Sequence, residues 1–420
     1  MRILFKNARI LTLASDDIFS GELLVKDNLI EYVGPKADPS LKADKVIDCM
    51  GNLLMPGFKN AHAHTAMVFA RSASDDLPLH EWLFDCIFPM EEKFIDGDIY
   101  HLTKCGILEY LSGGITAAFD MYFNPPEIVK ACEEIGFRNV ILATSLSEPI
   151  SLLRERFQKW NKNDSLISYQ LGLHAEYTTP KERIQEIADL ANELKAPVYL
   201  HVGETQQEVQ GCVDRYKMRP IKFLDSLGLF NYGGGGFHCN YFDDEEIEIC
   251  KKRHINIVTC PGSNLKLASG IAPLVRYKKE GLNIAVGTDG PASNNSLDMF
   301  KEMYLVSCLQ KVVNKDASCM DGYEVLKMAT VNSAHAMGLN NADVLAKGKY
   351  ADIIMIDLKN PAMQPINNIK KNIVYAGSKD IVKMTMINGK ILYMDHKFYI
   401  DEDVEEIYRK AQEITERLKK

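Results

Sequence analysis

Two histidines, His62 and His64, close an apolar stretch in the run Met55-Pro56-Gly57-Phe58-Lys59-Asn60-Ala61-His62-Ala63-His64. Residues two apart on an extended segment point to the same side, so both imidazoles can grip one metal ion. Three more candidate ligands each end another apolar run: His201 in Val198-Tyr199-Leu200-His201-Val202-Gly203-Glu204, His238 in Gly236-Phe237-His238-Cys239-Asn240, and Asp289 in Val286-Gly287-Thr288-Asp289-Gly290. Neutral imidazoles with a carboxylate suit Zn²⁺ or Fe²⁺. A lone histidine is more often structural than a ligand, but five such residues at the ends of strand-like runs argue for a metal centre.

The chemistry follows from that set. A metal lowers the pKa of bound water to about 7, and the resulting hydroxide attacks an electrophilic carbon. Glu204, just past His201, is placed as a proton shuttle, first to a ring nitrogen and then to departing ammonia. His238 is either a fourth ligand or a base that polarises the attacking water. Asp289 can bind the metal and also accept a proton from the water. The residues alone leave these roles open.

These groups need a frame. Strand-like runs cover Leu53 to Phe58, Ile115 to Tyr122, Asn139 to Leu146, Ile167 to Leu173, Pro197 to Val202, Gly235 to Cys239, Ile255 to Cys260 and Asn283 to Gly287. Helical runs lie between them, including Asp98 to Leu111, Glu127 to Gly136, Lys181 to Leu194, Asp243 to Lys252 and Ala272 to Glu280. The alternation predicts an α/β fold with a parallel sheet, and eight units predict a closed (β/α)₈ TIM barrel. Such barrels place their chemistry at the C-terminal ends of the strands, where every candidate ligand lies. Short β-rich segments in the first ~55 residues recur late in the chain, and neither set can bury both faces alone. We therefore expect a small β-sandwich built from residues 1–55 and 345–400, a barrel over 56–344, and a surface helix over 401–420.

Composition narrows the function classes. The 420-residue chain is 46% hydrophobic and 25% charged, an ordinary globular balance. Its 49 basic and 57 acidic residues give a net charge of −8 with no basic cluster, which argues against nucleic acid and anionic membranes as partners. The ten cysteines are scattered without a C-x-x-C pair. The N-terminus lacks a signal-peptide core, and no apolar run reaches the roughly 20 residues of a membrane helix. We expect reduced, mostly buried thiols in a cytoplasmic protein, with a homo-oligomer left open. Cys239 is expected to point away from the metal, and Cys260 to lie in the core. Gly233-Gly234-Gly235-Gly236 enters a strand and lacks Lys-Ser/Thr, so it reads as a tight approach to the barrel rather than a phosphate cradle. Trp82 reads as a packing anchor.

The chain resembles the amidohydrolase superfamily, in the branch holding 5-methylthioadenosine/S-adenosylhomocysteine deaminases and triazine hydrolases. The matching segments are Pro56 to His64, Asp76-Leu77-Pro78-Leu79-His80-Glu81-Trp82-Leu83, His201 to Thr205, Ser263-Asn264-Leu265-Lys266-Leu267 with Gly270-Ile271-Ala272-Pro273, and Gly287 to Asn295. The resemblance implies a metal-dependent hydrolytic deaminase of an adenine nucleoside, such as 5-methylthioadenosine, S-adenosylhomocysteine or adenosine. The alternatives are hydrolysis of another ring (guanine, cytosine, an s-triazine) and a noncatalytic scaffold. It implies one divalent metal, zinc first and iron second, held by His62, His64, His201 and Asp289. His238 would assist the water, Glu204 would shuttle protons, Glu81 would contact ribose hydroxyls and His174 would touch the nucleoside. No lysine occurs from Ile167 to Leu173, where binuclear relatives would carry a bridging one. One departure stands out. Relatives that accept S-adenosylhomocysteine place arginine near the third strand, but here the segment is Leu142-Ala143-Thr144-Ser145-Leu146-Ser147-Glu148, with only Arg154 and Arg156 downstream.

Overall fold

The computed structural model describes residues 1–420 except 39, 145–147 and 163–164. Eight parallel strands follow one another around a barrel: β1 Phe58–Ala63, β2 Ile115–Met121, β3 Arg138–Leu142, β4 Ile167–Ala175, β5 Val198–Val202, β6 Gly234–His238, β7 Ile255–Thr259 and β8 Ile284–Val286. Every residue of β1, β2, β3, β5, β6 and β8 is buried. That two-sided burial is why these strands read as continuous apolar runs rather than alternating ones. Side chains close the ring between β8 and β1. The Asn60 amide donates to Thr288 Oγ1 at 2.7 Å and accepts from the Thr288 N–H at 2.9 Å, while the Asp289 N–H donates to the His62 carbonyl at 3.0 Å.

The first barrel strand differs from expectation. Leu53 to Phe58 is not one strand. Leu53–Pro56 pairs antiparallel with Ile353–Ile356 and parallel with Arg2–Leu11, in a second sheet, and the barrel strand begins only at Phe58. The chain passes between sheets at Gly57, where any Cβ would run into the Thr116 side chain. His62 consequently lies inside β1 rather than beyond it. Ser145 and Leu146, the expected end of the third strand, lie outside the described residues.

The second sheet has nine strands, drawn from Arg2–Asp48, Leu53–Pro56 and Ile353–Phe398. It is hydrogen-bonded continuously rather than split in two. One side carries a core of Ile3, Phe5, Ile10, Val25, Met355 and Met384, residues from both halves of the chain. Between the sheets, at the foot of the barrel, the Lys59 ammonium donates to the Gly57 carbonyl at 3.0 Å and to Thr116 Oγ1 at 2.7 Å. Arg138 pairs there with buried Asp352 at 2.6 Å.

The helices form an outer layer. Lys181–Leu194 buries Ile184, Ile187, Ala188 and Ala191, a single stripe at helical spacing. Asp244–Arg253 starts with a capping box between Asp243 and Glu246. The terminal helix Val404–Leu418 buries Ile407, Ala411, Ile414 and Leu418. Its Arg417 pairs with Asp98 at the start of the helix Asp98–Ser112. No described helix is long and apolar enough to cross a membrane. All ten cysteines are free thiols; Cys239 and Cys260 are buried in the core.

Candidate metal centre and substrate cavity

At the C-terminal mouth of the barrel, one donor atom from each of His62, His64, His201 and Asp289 lies within 4.8 Å of the others. His62 Nε2 is 3.4 Å and His64 Nε2 3.2 Å from Asp289 Oδ1, and His62 Nε2 is 3.1 Å from His201 Nε2. Hydrogen bonds on the far side of two rings fix which nitrogen faces the cluster. His64 Nδ1 donates to the Met121 carbonyl at 2.5 Å, and His201 Nδ1 to the His174 carbonyl at 2.8 Å. Each neutral ring therefore presents an unprotonated Nε2 inward. Asp289 Oδ2 accepts from Ser263 Oγ at 2.6 Å and Ser293 Oγ at 2.9 Å, which leaves Oδ1 toward the histidines.

This packing calls for a cation. Burial pushes His62 down to about 3 and His201 well below the ordinary histidine range. Burial alone would raise Asp289, but the His62 and His64 rings against it hold its carboxyl well below the carboxylate range. Burial opposes a charge on His64, yet Asp289 still raises it. His62 Nε2 and His201 Nε2, 3.1 Å apart beside an ionised carboxylate, make a pocket of donor atoms that a positive charge would hold together. The donor set, three nitrogens and one oxygen, fits a divalent metal.

His238 stands outside that cluster. Its Nδ1 donates to Asn264 Oδ1 at 2.7 Å; Asn264 Nδ2 donates to Asn240 Oδ1 at 3.0 Å; Asn240 Nδ2 donates to the Glu204 carbonyl at 2.9 Å. The chain of amides sets the His238 tautomer and leaves Nε2 as an acceptor, 3.7 Å from Glu204 Oε2. Ser269 Oγ donates to Glu204 Oε1 at 2.9 Å. The Glu208 carboxylate accepts the Gly203 and Glu204 amides, each at 2.7 Å, and clamps the turn after β5. His238 and Asp289 both adopt left-handed backbone, φ +71° and +62°, as do several turn and helix-end residues of the chain. The glycines before His238 do what their strand position suggested: a Cβ on Gly234 would strike the Val198 carbonyl, and one on Gly236 the Val202 side chain.

A cavity of about 700 Å³ opens over this mouth, and His64, His174, His201, Glu204, His238 and Asp289 all reach it. Half-buried His174 is pushed down to about 4, mainly by desolvation, and contacts Thr178 Oγ1 at 2.9 Å. Glu81 is not on the wall. It is exposed at the end of the short helix Leu79–Glu81, although its neighbours Leu79 and Trp82 do line the cavity. Trp82 is buried, as expected of an anchor, but it also faces the cavity, and its indole N–H has no partner among the described residues. Arg154 pairs with Glu193 and Arg156 with Glu148, each at 2.6 Å, and neither arginine lines the cavity. Sequence reasoning missed Glu91, which lines the cavity and accepts the Tyr122 hydroxyl at 2.5 Å. It gave no roles to Ser269, Asn240 or Asn264. The Ser263-Asn264 motif was the one available signal for this support.

The pattern of the Amidohydrolase family matches residues 53–392. This chain belongs to that family. Its full length also aligns with relatives in the family. It is 35% identical to a 5-methylthioadenosine/S-adenosylhomocysteine deaminase of Caldanaerobacter subterraneus, over 100% of this chain and 99% of that one. It is 37% identical to a protein of the same name from Caldicellulosiruptor saccharolyticus, over 96% of each. An adenosine deaminase from Xanthomonas campestris with bound zinc superposes with a TM-score of 0.94 at 31% identity, covering 99% of this chain and 98% of that one. The amidohydrolase fold extends to an atrazine chlorohydrolase from Arthrobacter aurescens, with a TM-score of 0.90 at 20% identity over 98% of this chain and 100% of that one.

Proposed function

We propose that this amidohydrolase is a hydrolytic deaminase of an adenine nucleoside (5-methylthioadenosine, S-adenosylhomocysteine or adenosine) that releases ammonia. One observation carries the reading. The His62–His64–His201–Asp289 donor set shares a cavity with Glu204 and His238, on a chain 35–37% identical to 5-methylthioadenosine/S-adenosylhomocysteine deaminases. We assign zinc as the metal, because three imidazoles and a carboxylate suit it and the Xanthomonas campestris relative holds it. We assign one ion per chain, because β4 carries no lysine to bridge two. Iron is the alternative.

Bound there, the metal supplies a Lewis acid that lowers the pKa of a coordinated water to about 7. The residues of the chain supply the remainder. Asp289, held by Ser263 and Ser293, keeps a carboxylate oxygen against His62 and His64. His238, its ring oriented by the Asn264–Asn240 relay, turns Nε2 toward the cavity, where it accepts a hydrogen bond from the attacking water. Glu204, fixed by Ser269 and by the clamped turn, carries one proton of that water to a ring nitrogen and then the second to the amine, which leaves as ammonia as the carbon keeps the oxygen. His174 is the nucleoside contact we assign on the cavity wall. Glu81 reaches ribose hydroxyls if the Leu79–Glu81 turn shifts inward when substrate binds. Glu81→Ala should then lower kcat/KM for a nucleoside and leave a free base unaffected.

The test is ammonia release from zinc-loaded protein offered adenosine, 5-methylthioadenosine, S-adenosylhomocysteine, guanine and cytosine. Turnover of an adenine nucleoside is expected. Turnover of guanine or cytosine with none of any adenine nucleoside would overturn the substrate assignment. Absence of stoichiometric metal after zinc loading would overturn the site.

A further inference from the structure

The cavity is one-sided in charge. Among the described residues that line it there is no lysine and no arginine, while four carboxylates face it: Glu91, Glu148, Glu204 and Asp289. Asp289 and Glu204 serve the reacting end. Glu91 and Glu148 lie outside that machinery. Glu91 follows an apolar wall formed by Trp82, Leu83, Ile87 and Phe88 and holds the Tyr122 hydroxyl. The cations nearest Glu148 are engaged elsewhere than on a ligand. Arg156 is on the Glu148 carboxylate at 2.6 Å, Arg183 on the Glu148 carbonyl at 2.6 Å, and Arg154 on Glu193. Ser145, Leu146 and Ser147, which connect Thr144 to Glu148, add no charge.

A negative group entering this space loses its water and meets no counter-ion on the wall: Arg156 is already on Glu148, and Glu91, pushed up to about 7 by burial, adds acid rather than a cation. A thioether or methyl group loses nothing comparable and gains the apolar wall, and an ammonium gains the carboxylates. We propose that the part of the cavity bounded by Glu91, Glu148 and the Trp82–Phe88 wall is a specificity filter: it admits adenine nucleosides whose 5′ substituent is apolar or cationic and rejects those ending in a carboxylate. The inference rests on the adenine-nucleoside reading above. Of the two compounds in the relatives' name, it selects 5-methylthioadenosine, which ends in a methyl group, over S-adenosylhomocysteine, whose zwitterionic end adds a carboxylate that finds no cation on the wall whatever its ammonium gains.

The experiment compares three ligands on the zinc-loaded full chain: 5-methylthioadenosine, S-adenosylhomocysteine, and an adenosine 5′-thioether ending in a primary amine. Both kcat/KM and equilibrium binding by calorimetry are measured. S-adenosylhomocysteine should have a kcat/KM about 100-fold below that of 5-methylthioadenosine, the scale expected when buried polar groups are left unpaired. The amine should fall between them or above both. Glu148→Gln should narrow the ratio of the first two by about tenfold through gain on S-adenosylhomocysteine, and Glu91→Gln should do the same if the first variant fails to fold. S-adenosylhomocysteine processed as well as 5-methylthioadenosine would overturn the filter; its selective loss in Arg156→Ala would then show Arg156 leaving Glu148 to hold the carboxylate. If no adenine nucleoside is deaminated, the functional reading fails instead, and the calorimetric ranking still decides the filter.

Discussion

Glu204→Gln separates the proton shuttle from everything else the site does. The Glu204 side chain is 6% exposed, its Oε1 accepts from Ser269 at 2.9 Å, and its Oε2 lies 3.7 Å from His238 Nε2. Glutamine has the same shape, and the amide oxygen can still accept from Ser269. The backbone clamps to Glu208 and Asn240 do not involve the side chain. Glu204 is also absent from the four-donor cluster, so metal content should not change. What disappears is the ability to take and return a proton. A positioned acid–base group contributes roughly 10²- to 10⁴-fold, so kcat should fall by that factor while KM changes little. This is about 3–5 kcal/mol of barrier at 1.36 kcal/mol per decade. Ser269→Ala gives an internal control. It removes one hydrogen bond to a charged group, worth about 1.5–3 kcal/mol, which caps its effect at roughly 10- to 150-fold in kcat. Because Ser269 acts through Glu204, the double variant should be no slower than Glu204→Gln alone. The assay is ammonia release, with elemental analysis and thermal melting on each variant. A metal-replete Glu204→Gln enzyme within a few-fold of wild type would refute the shuttle. Multiplying losses in the double variant would refute the Ser269 connection.

Stripping the metal with a chelator should abolish turnover and lower Tm, since a ligand at 1,000 times its Kd adds about 4 kcal/mol to folding; calorimetric scans before and after zinc return check this. Gly234→Ala should destabilise by about 1–3 kcal/mol in urea titrations, because the new Cβ meets the Val198 carbonyl at a φ of +148°. Stability should also fall as pH rises from about 4.5 to 7. Burial pushes Glu302 up to about 7, so in that window the unfolded chain releases a proton that the folded one retains. Urea midpoints in Glu302→Gln should fall less steeply between pH 5 and 8 than in wild type, even though the variant loses a bond to the Gly262 amide or to Asn294. An unchanged slope would mean that Glu302 does not titrate there.

Much of this was legible along the chain because it depends on local pattern. Strands buried on both faces leave unbroken apolar runs, and seven of the eight barrel strands overlap the runs that predicted them. The helix Lys181–Leu194 has the bounds its spacing predicted, and the terminal helix Val404–Leu418 lies within the 401–420 expected of it. Barrel geometry places chemistry at strand ends, so His62, His64, His201, His238 and Asp289 could be picked out as candidates before any contact between them was known. The exception, Leu53 to Phe58, failed because two strands of different sheets meet without a polar break. Gly57 is needed for close packing against Thr116, a partner remote in sequence that local pattern does not reveal.

By itself, the sequence determined the fold class and the five candidate ligands, since each rests on residue type and short-range periodicity. Only the tertiary structure decided which of five candidate ligands share a centre. It left His238 outside the four-donor cluster, its ring oriented by Asn264 on the helix Pro261–Lys266 and, through it, by Asn240. It left Glu81 outside the cavity wall and brought Glu91 and Glu148 onto it. It also turned Arg154 and Arg156 away, each on a carboxylate of its own. The physical reason is common to all of these. Hydrogen bonds and ion pairs act over about 3 Å, and their partners here come from segments that only the closing of the barrel brings together, as with Asn60 and Thr288, 228 residues apart.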